Sequence, residues 1–264
     1  MEIINSHAHI YPPKIAEKAT DAISNFYDIK MSTDKGTAEI LLEKGKRAGV
    51  SRFVVHSVAT STKQVHSINE FILREMGEHS EFIGFMALHP DMSEEEIEKE
   101  VEFATQNGFK GIKVHPDFQR FNIDSEEAKK IYRVASGKLP ILFHTGDNRY
   151  DYSRPFRLAN IAKEFKNLQV IGSHFGGYRC WDEYEVYKGL DNVYFDTCST
   201  LPFLDIDKAT KIINDLGAEK FFFADDFPMW DVAEELVRFD KLKISSDDKE
   251  KILSKNVKNF LSLK

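Results

Sequence analysis

Short apolar runs alternate with longer amphipathic stretches along all 264 residues of this chain. Eight runs read as strands: Glu2–His7, Arg52–Val58, Phe82–Leu88, Gly111–His115, Pro140–His144, Gln169–His174, Val193–Asp196 and Lys220–Ala224. They are short and rich in Val, Ile and Phe, as strands covered on both faces in a parallel sheet are. Parallel neighbours need a long crossover, usually a helix, and the intervening stretches carry helix signals. Ser93-x-x-Glu96 is a capping box, and Asp124-x-x-Glu127 opens a second helix. The acidic run Glu94-Glu95-Glu96 suits a solvated helix start. Gly49, Gly108, Gly137 and Gly217 each stand between a helical stretch and the next strand, where a left-handed turn returns the chain to the sheet. The pattern predicts an α/β protein: a single (β/α)8 TIM barrel over residues 1–264. An open doubly wound sheet is the rival, and no GxGxxG sequence follows the first run to support it. The connection from Ile10 to about Val50 is the longest and has room for an extra helix or a lid.

Composition narrows the function classes. The hydrophobic share is 42% and the charged share 30%, ordinary for a folded globular domain. A net charge of −7 argues against a nucleic-acid partner, which selects for a basic stripe. No apolar run approaches the roughly 20 residues that span a bilayer, and the opening MEIINSHAHI lacks the basic and apolar regions of a signal peptide. Cys180 and Cys198, the only cysteines, form neither a CxxC pair nor a disulfide framework. The expectation is a cytoplasmic protein with reduced thiols and a small-molecule substrate.

Seven of the nine histidines lie where an apolar run is about to become a loop: His7, His9, His56, His89, His115, His144 and His174. Parallel strands end on one face, so residues at their ends converge. Histidine is a frequent metal ligand and a proton shuttle near neutral pH. His7 and His9 are two apart, which on a strand places both on one face. Side by side they make half of a tetrahedral metal site. The eighth run ends in Asp225-Asp226, and carboxylates are rarely buried unless paired or metal-bound. One of the two is expected to face the strand ends and the other the wall or a helix.

His7-x-His9, His144, His174 and Asp226, in that order, resemble the amidohydrolase superfamily. GFKGIKVHP, SHFGG and ADDFP resemble its amidohydrolase-related (amidohydrolase 2) branch, which includes aminocarboxymuconate-semialdehyde decarboxylase and resorcylate decarboxylase. The resemblance covers nearly the whole chain. It implies a barrel with one divalent metal, most often zinc, held by His7, His9, His144 and Asp226. It implies that His174 holds or activates the metal's water, so that Asp226 and His174 are the catalytic pair. Asp226 is selected over Asp225 because the family's aspartate stands two residues before a proline, here Pro228. Self-association also follows from the resemblance alone.

Lys113 has two readings. In binuclear members of the superfamily a lysine on this strand is carboxylated and bridges a second metal. Otherwise its amine meets a substrate carboxylate or pairs with Asp225 or Asp226, the reading that a resemblance to mononuclear members favours. His56, His89 and His115 read as supporting or structural histidines, with His89 and His115 also able to line the pocket. The loops GDNRYDYSRPF and GGYRCW bring Arg149, Tyr150, Tyr152, Arg154, Tyr178, Arg179 and Trp181 near the site, a set suited to an acidic or aromatic substrate. Substrate binding is expected from Lys113, His115, Arg149 and Arg179. The expected activity is metal-dependent hydrolysis of a C–O or C–N bond. The alternative is non-oxidative decarboxylation of a small aromatic or unsaturated acid, and a barrel that binds ligand without turnover is a third reading.

Overall fold

A computed structural model describes residues 2–29, 31 and 35–264. Residues 30 and 32–34 of the long first connection lie outside the described residues, as does Met1. Eight strands follow sequence order in one sheet: β1 (Ile4–His9), β2 (Arg52–His56), β3 (Phe82–Ala87), β4 (Gly111–Val114), β5 (Ile141–Phe143), β6 (Val170–Gly172), β7 (Val193–Asp196) and β8 (Phe221–Phe222). Helices alternate with them: α1 (Pro13–Tyr27), α2 (Ala38–Ala48), α3 (Val65–Glu78), α4 (Glu94–Gln106), α5 (Pro116–Gln119), α6 (Glu126–Ala135), α7 (Pro155–Glu164), α8 (Ile206–Leu216), α9 (Val232–Asp240), α10 (Ser246–Glu250) and α11 (Asn256–Leu261). The fold is a (β/α)8 TIM barrel. The long first connection holds α1 and α2.

The chain divides into two compact units: Met1–Ser57 with Glu75–Ile83 and Thr197–Lys264, and Val58–Arg74 with Gly84–Asp196. In the first unit the chain after β8 returns to β1. The Ser6 N–H donates to the Phe223 carbonyl at 2.9 Å and the His9 N–H to the Phe227 carbonyl at 2.7 Å. Between β1 and β2 the register runs Ile4 with Arg52, Asn5 with Phe53, then Ala8 with Val55 and His9 with His56. Three steps on β1 therefore match two on β2, a bulge at Ser6–His7 that re-aims the side chains beyond it. Every residue of β1 is buried, including Asn5, Ser6, His7 and His9. Buried polar groups need partners, so this strand is built to support a polar site. Thr37 caps α2 by accepting from the Ile40 N–H, and Gly49 ends it at φ 77°.

In the second unit β4 to β7 pair in parallel without a register break. Ile112, Val114, Ile141, Leu142, Phe143, Val170 and Ile171 are buried along them. Asn69 of α3 clips the end of β3, accepting from the Ala87 N–H at 2.7 Å and donating to its carbonyl at 3.2 Å. The capping box of Ser93 and Glu96 opens α4. The next long helix, α6, is capped by Ser125 rather than Asp124, because the Ser125 hydroxyl is the acceptor that reaches the Ala128 N–H.

Candidate metal centre

Three donors from the first unit form a near-equilateral triangle. His7 Nε2 lies 3.3 Å from His9 Nε2 and 3.3 Å from Asp226 Oδ1, and His9 Nε2 lies 3.4 Å from the same oxygen. His7 and His9 reach this geometry from β1. Asp226 reaches it from a left-handed backbone at φ 60°, with its N–H bonded to the His7 carbonyl. Ligands about 2.1 Å from a tetrahedral ion stand roughly 3.4 Å apart, so the spacing matches one face of a metal tetrahedron. Two imidazoles and a carboxylate are also the donor types that divalent transition metals take. The residues fit a bound divalent ion.

Groups around the triangle hold it in place. The Ser199 hydroxyl donates to Asp226 Oδ2 at 2.6 Å and accepts from the Trp230 indole N–H at 3.0 Å. Cys198 Sγ lies 3.5 Å from His7 Nδ1. His56, fully buried, stands edge-on to both imidazoles, its ring centre 4.7 Å from that of His7 and 4.4 Å from that of His9. Asp225 turns the other way, accepting from the Asn5 side-chain amide at 2.7 Å and from the Phe227 N–H at 2.8 Å. Burial pushes its carboxyl up to about 8, so Asp225 is a wall residue and Asp226 is the carboxylate beside the histidines. Burial and the charge of Asp226 raise the Tyr11 phenol well above its usual range.

The second unit gathers its own cluster. His174 Nε2 and His144 Nδ1 lie 3.0 Å apart, and His144 Nε2 lies 3.7 Å from Asp117 Oδ2. The same Asp117 oxygen accepts from the Ser153 hydroxyl at 2.5 Å. Its other oxygen is buried with no hydrogen-bond partner among the described residues, and burial raises this carboxyl to about 7. His174 lies beyond the end of β6 on a left-handed turn at φ 62°. Its N–H donates to Asp196 Oδ1 at 2.7 Å, and its carbonyl accepts from the Trp181 indole at 3.0 Å.

The expected substrate-binding residues lie in this unit too. His115 stacks flat between Phe118 (3.9 Å) and His144 (4.0 Å). Its Nδ1 accepts from the Phe118 N–H at 3.3 Å, which leaves the proton on Nε2. Lys113 is buried on β4, paired in register with Ala87 and Leu142. Arg149 is clamped by both carboxylate oxygens of Asp147 at 2.7–3.3 Å, and Arg154 is paired with Glu183. The Arg179 guanidinium lies 5.5 Å above the Tyr178 ring. Tyr178 is stitched to the β5 loop by its N–H on the Thr145 carbonyl at 2.7 Å. His89, with Nδ1 accepting from the Asp91 N–H at 3.2 Å, is a loop-shaping histidine. Cys198, Ser199 and Asp117 are the participants that sequence reading missed. The one signal for the first two was their place directly after the seventh strand.

Solved structures share this fold over their full length. A TIM-barrel protein from Bordetella bronchiseptica superposes with a TM-score of 0.83 at 17% identity, covering 100% of this chain and 99% of that one. A dihydroxybenzoic acid decarboxylase from a Polaromonas species, with bound manganese and the inhibitor 2-nitroresorcinol, gives 0.75 at 14% identity, covering 99% and 97%. A 5-carboxyvanillate decarboxylase from Novosphingobium aromaticivorans, complexed with manganese and a nitrobenzoic acid, gives 0.76 at 16% identity, covering 99% and 96%. No curated protein matches the chain. Among the described residues no helix is long and apolar enough to cross a membrane. The family model described as amidohydrolase matches residues 4–263, and the chain belongs to that family of enzymes.

Proposed function

We propose that this enzyme is a divalent-metal-dependent decarboxylase of a small aromatic or unsaturated acid. The observation that carries the reading is the His7–His9–Asp226 triangle, with edges of 3.3, 3.3 and 3.4 Å, on a fold shared with manganese-bound decarboxylases. A bound divalent ion supplies a Lewis acid that anchors the acid's oxygens and stabilises negative charge. His7, His9 and Asp226 hold it, and the family resemblance gives His144 the role of fourth ligand. Such a donor set accepts either manganese or zinc, with supply deciding between them. The relatives make manganese the first metal to test, ahead of the zinc expected from sequence.

Decarboxylation breaks the bond between the substrate carbon and its carboxylate. The electron pair stays on that carbon, which takes up a proton as carbon dioxide leaves. Asp226 and His174 are the acid–base pair in this proposal. The 3.0 Å contact between His174 and His144 gives His174 a neighbour with which to share a proton. Asp147 holds Arg149; Lys113, buried on β4, and Arg179, over the Tyr178 ring, are the cations this reading assigns to the substrate's carboxylate. His115 offers its Nε2 proton to a ring hydroxyl.

Hydrolysis is the second reading, because the family description is amidohydrolase and the same acid–base pair can take a proton from water. The test is to offer manganese- and zinc-loaded enzyme dihydroxybenzoates and carboxyvanillate beside lactones and amides. Carbon dioxide release from an aromatic acid is expected, falling by roughly 100-fold or more in Asp226→Asn. Turnover of lactones or amides alone would replace decarboxylation by hydrolysis.

A further inference from the structure

We infer that Cys198 and Ser199 form an outer-sphere clamp that fixes the proton position of one metal ligand and the free oxygen of another. The inference rests on the metal site proposed above.

His7 presents Nε2 to the donor triangle. A neutral imidazole that gives one nitrogen to a metal carries its proton on the other and needs an acceptor for it. Cys198 Sγ lies 3.5 Å from His7 Nδ1, within reach of that proton. The thiol sulfur therefore receives the Nδ1 proton, in the place where a carboxylate or a backbone carbonyl usually stands. Cys198 is wholly buried. Asp226 divides its oxygens in the same way. Oδ1 belongs to the triangle, and Oδ2 receives the Ser199 hydroxyl at 2.6 Å. The Trp230 indole N–H can only donate, so it occupies a lone pair of the Ser199 oxygen at 3.0 Å. The serine proton is thereby directed to Asp226.

Consecutive residues of an extended chain point to opposite faces. Here Ser199 adopts φ 49°, a left-handed conformation that costs free energy for a non-glycine residue. It lets adjacent side chains serve ligands from β1 and from the loop after β8. The segment is anchored on both sides. The Thr197 N–H bonds the Phe222 carbonyl at 3.0 Å, the Ala224 N–H donates to the Thr197 hydroxyl at 3.1 Å, and the Thr200 hydroxyl donates to the Cys198 carbonyl at 3.0 Å. Cys198 is a positioning residue and does not ligate the metal.

Manganese and cobalt(II) binding by the full chain tests this. Cys198→Ala and Ser199→Ala should each weaken metal binding by roughly 10- to 100-fold. Cys198→Ser, which keeps an acceptor, should recover most of the loss. The cobalt(II)-loaded wild type should show no thiolate-to-cobalt charge-transfer band. Nitrogen-15 spectra of the loaded wild type, which need no variant to fold, should place the His7 proton on Nδ1. Unchanged affinity in both alanine variants, a charge-transfer band, or metal on His7 Nδ1 would each overturn the clamp. A wild type that binds no metal would overturn the metal site itself, a distinguishable failure.

Discussion

Glu235 is buried with one oxygen on Arg238 and the other without a hydrogen-bond partner among the described residues. Burial outweighs the arginine and lifts its carboxyl from 4.5 to about 7. A folded-state value raised in this way favours the native protein most below the ordinary carboxylate range. The advantage disappears as pH rises through 7, where the buried group must ionise. Glu235→Gln removes that dependence. In urea unfolding at pH 5 and pH 8.5, the variant should gain about 2–3 kcal/mol on the wild type between the two conditions. An equal difference at both pH values would contradict the assignment. His7 and His9 were legible because a two-residue spacing on a strand is a local fact. Cys198 and Ser199 were not, since their partners lie 191 and 27 residues away and their place after the seventh strand does not say which ligands they touch.

The elements formed where apolar patterning and capping residues placed them, with differences at the ends. The first strand runs Ile4–His9 rather than Glu2–His7, which brings both histidines into it. Its bulge was invisible because register depends on the partner strand. The eighth strand shrinks to Phe221–Phe222, because the chain beyond it leaves the ladder to aim Asp226. Gly45 in α2 illustrates packing that composition hides. A Cβ there would sit 2.1 Å from the Phe53 ring, so the missing side chain sets how closely α2 approaches β2. Gly45→Ala should therefore destabilise the protein by about 1–3 kcal/mol, despite the higher helix propensity of alanine. A thermal melt showing equal or greater stability would contradict this packing.

For the whole molecule, eight strand signals alternating with helices pointed to the barrel, and residues 4–263 match one family. Substrate identity was not legible, because the loops that would recognise a substrate pair their own charges, as Asp147 does with Arg149 and Glu183 with Arg154. Metal chemistry leaves a plainer mark, in buried donors spaced for an ion. Metal content per chain should therefore be measured by elemental mass spectrometry on protein purified without chelator, for the wild type, His9→Ala, Asp226→Asn and Lys113→Met. The expected result is a single divalent metal in the wild type and in Lys113→Met, lost in His9→Ala and Asp226→Asn. A second metal that disappears with Lys113 would contradict the single-metal site, and a metal-free wild type after reconstitution would contradict the metal centre altogether.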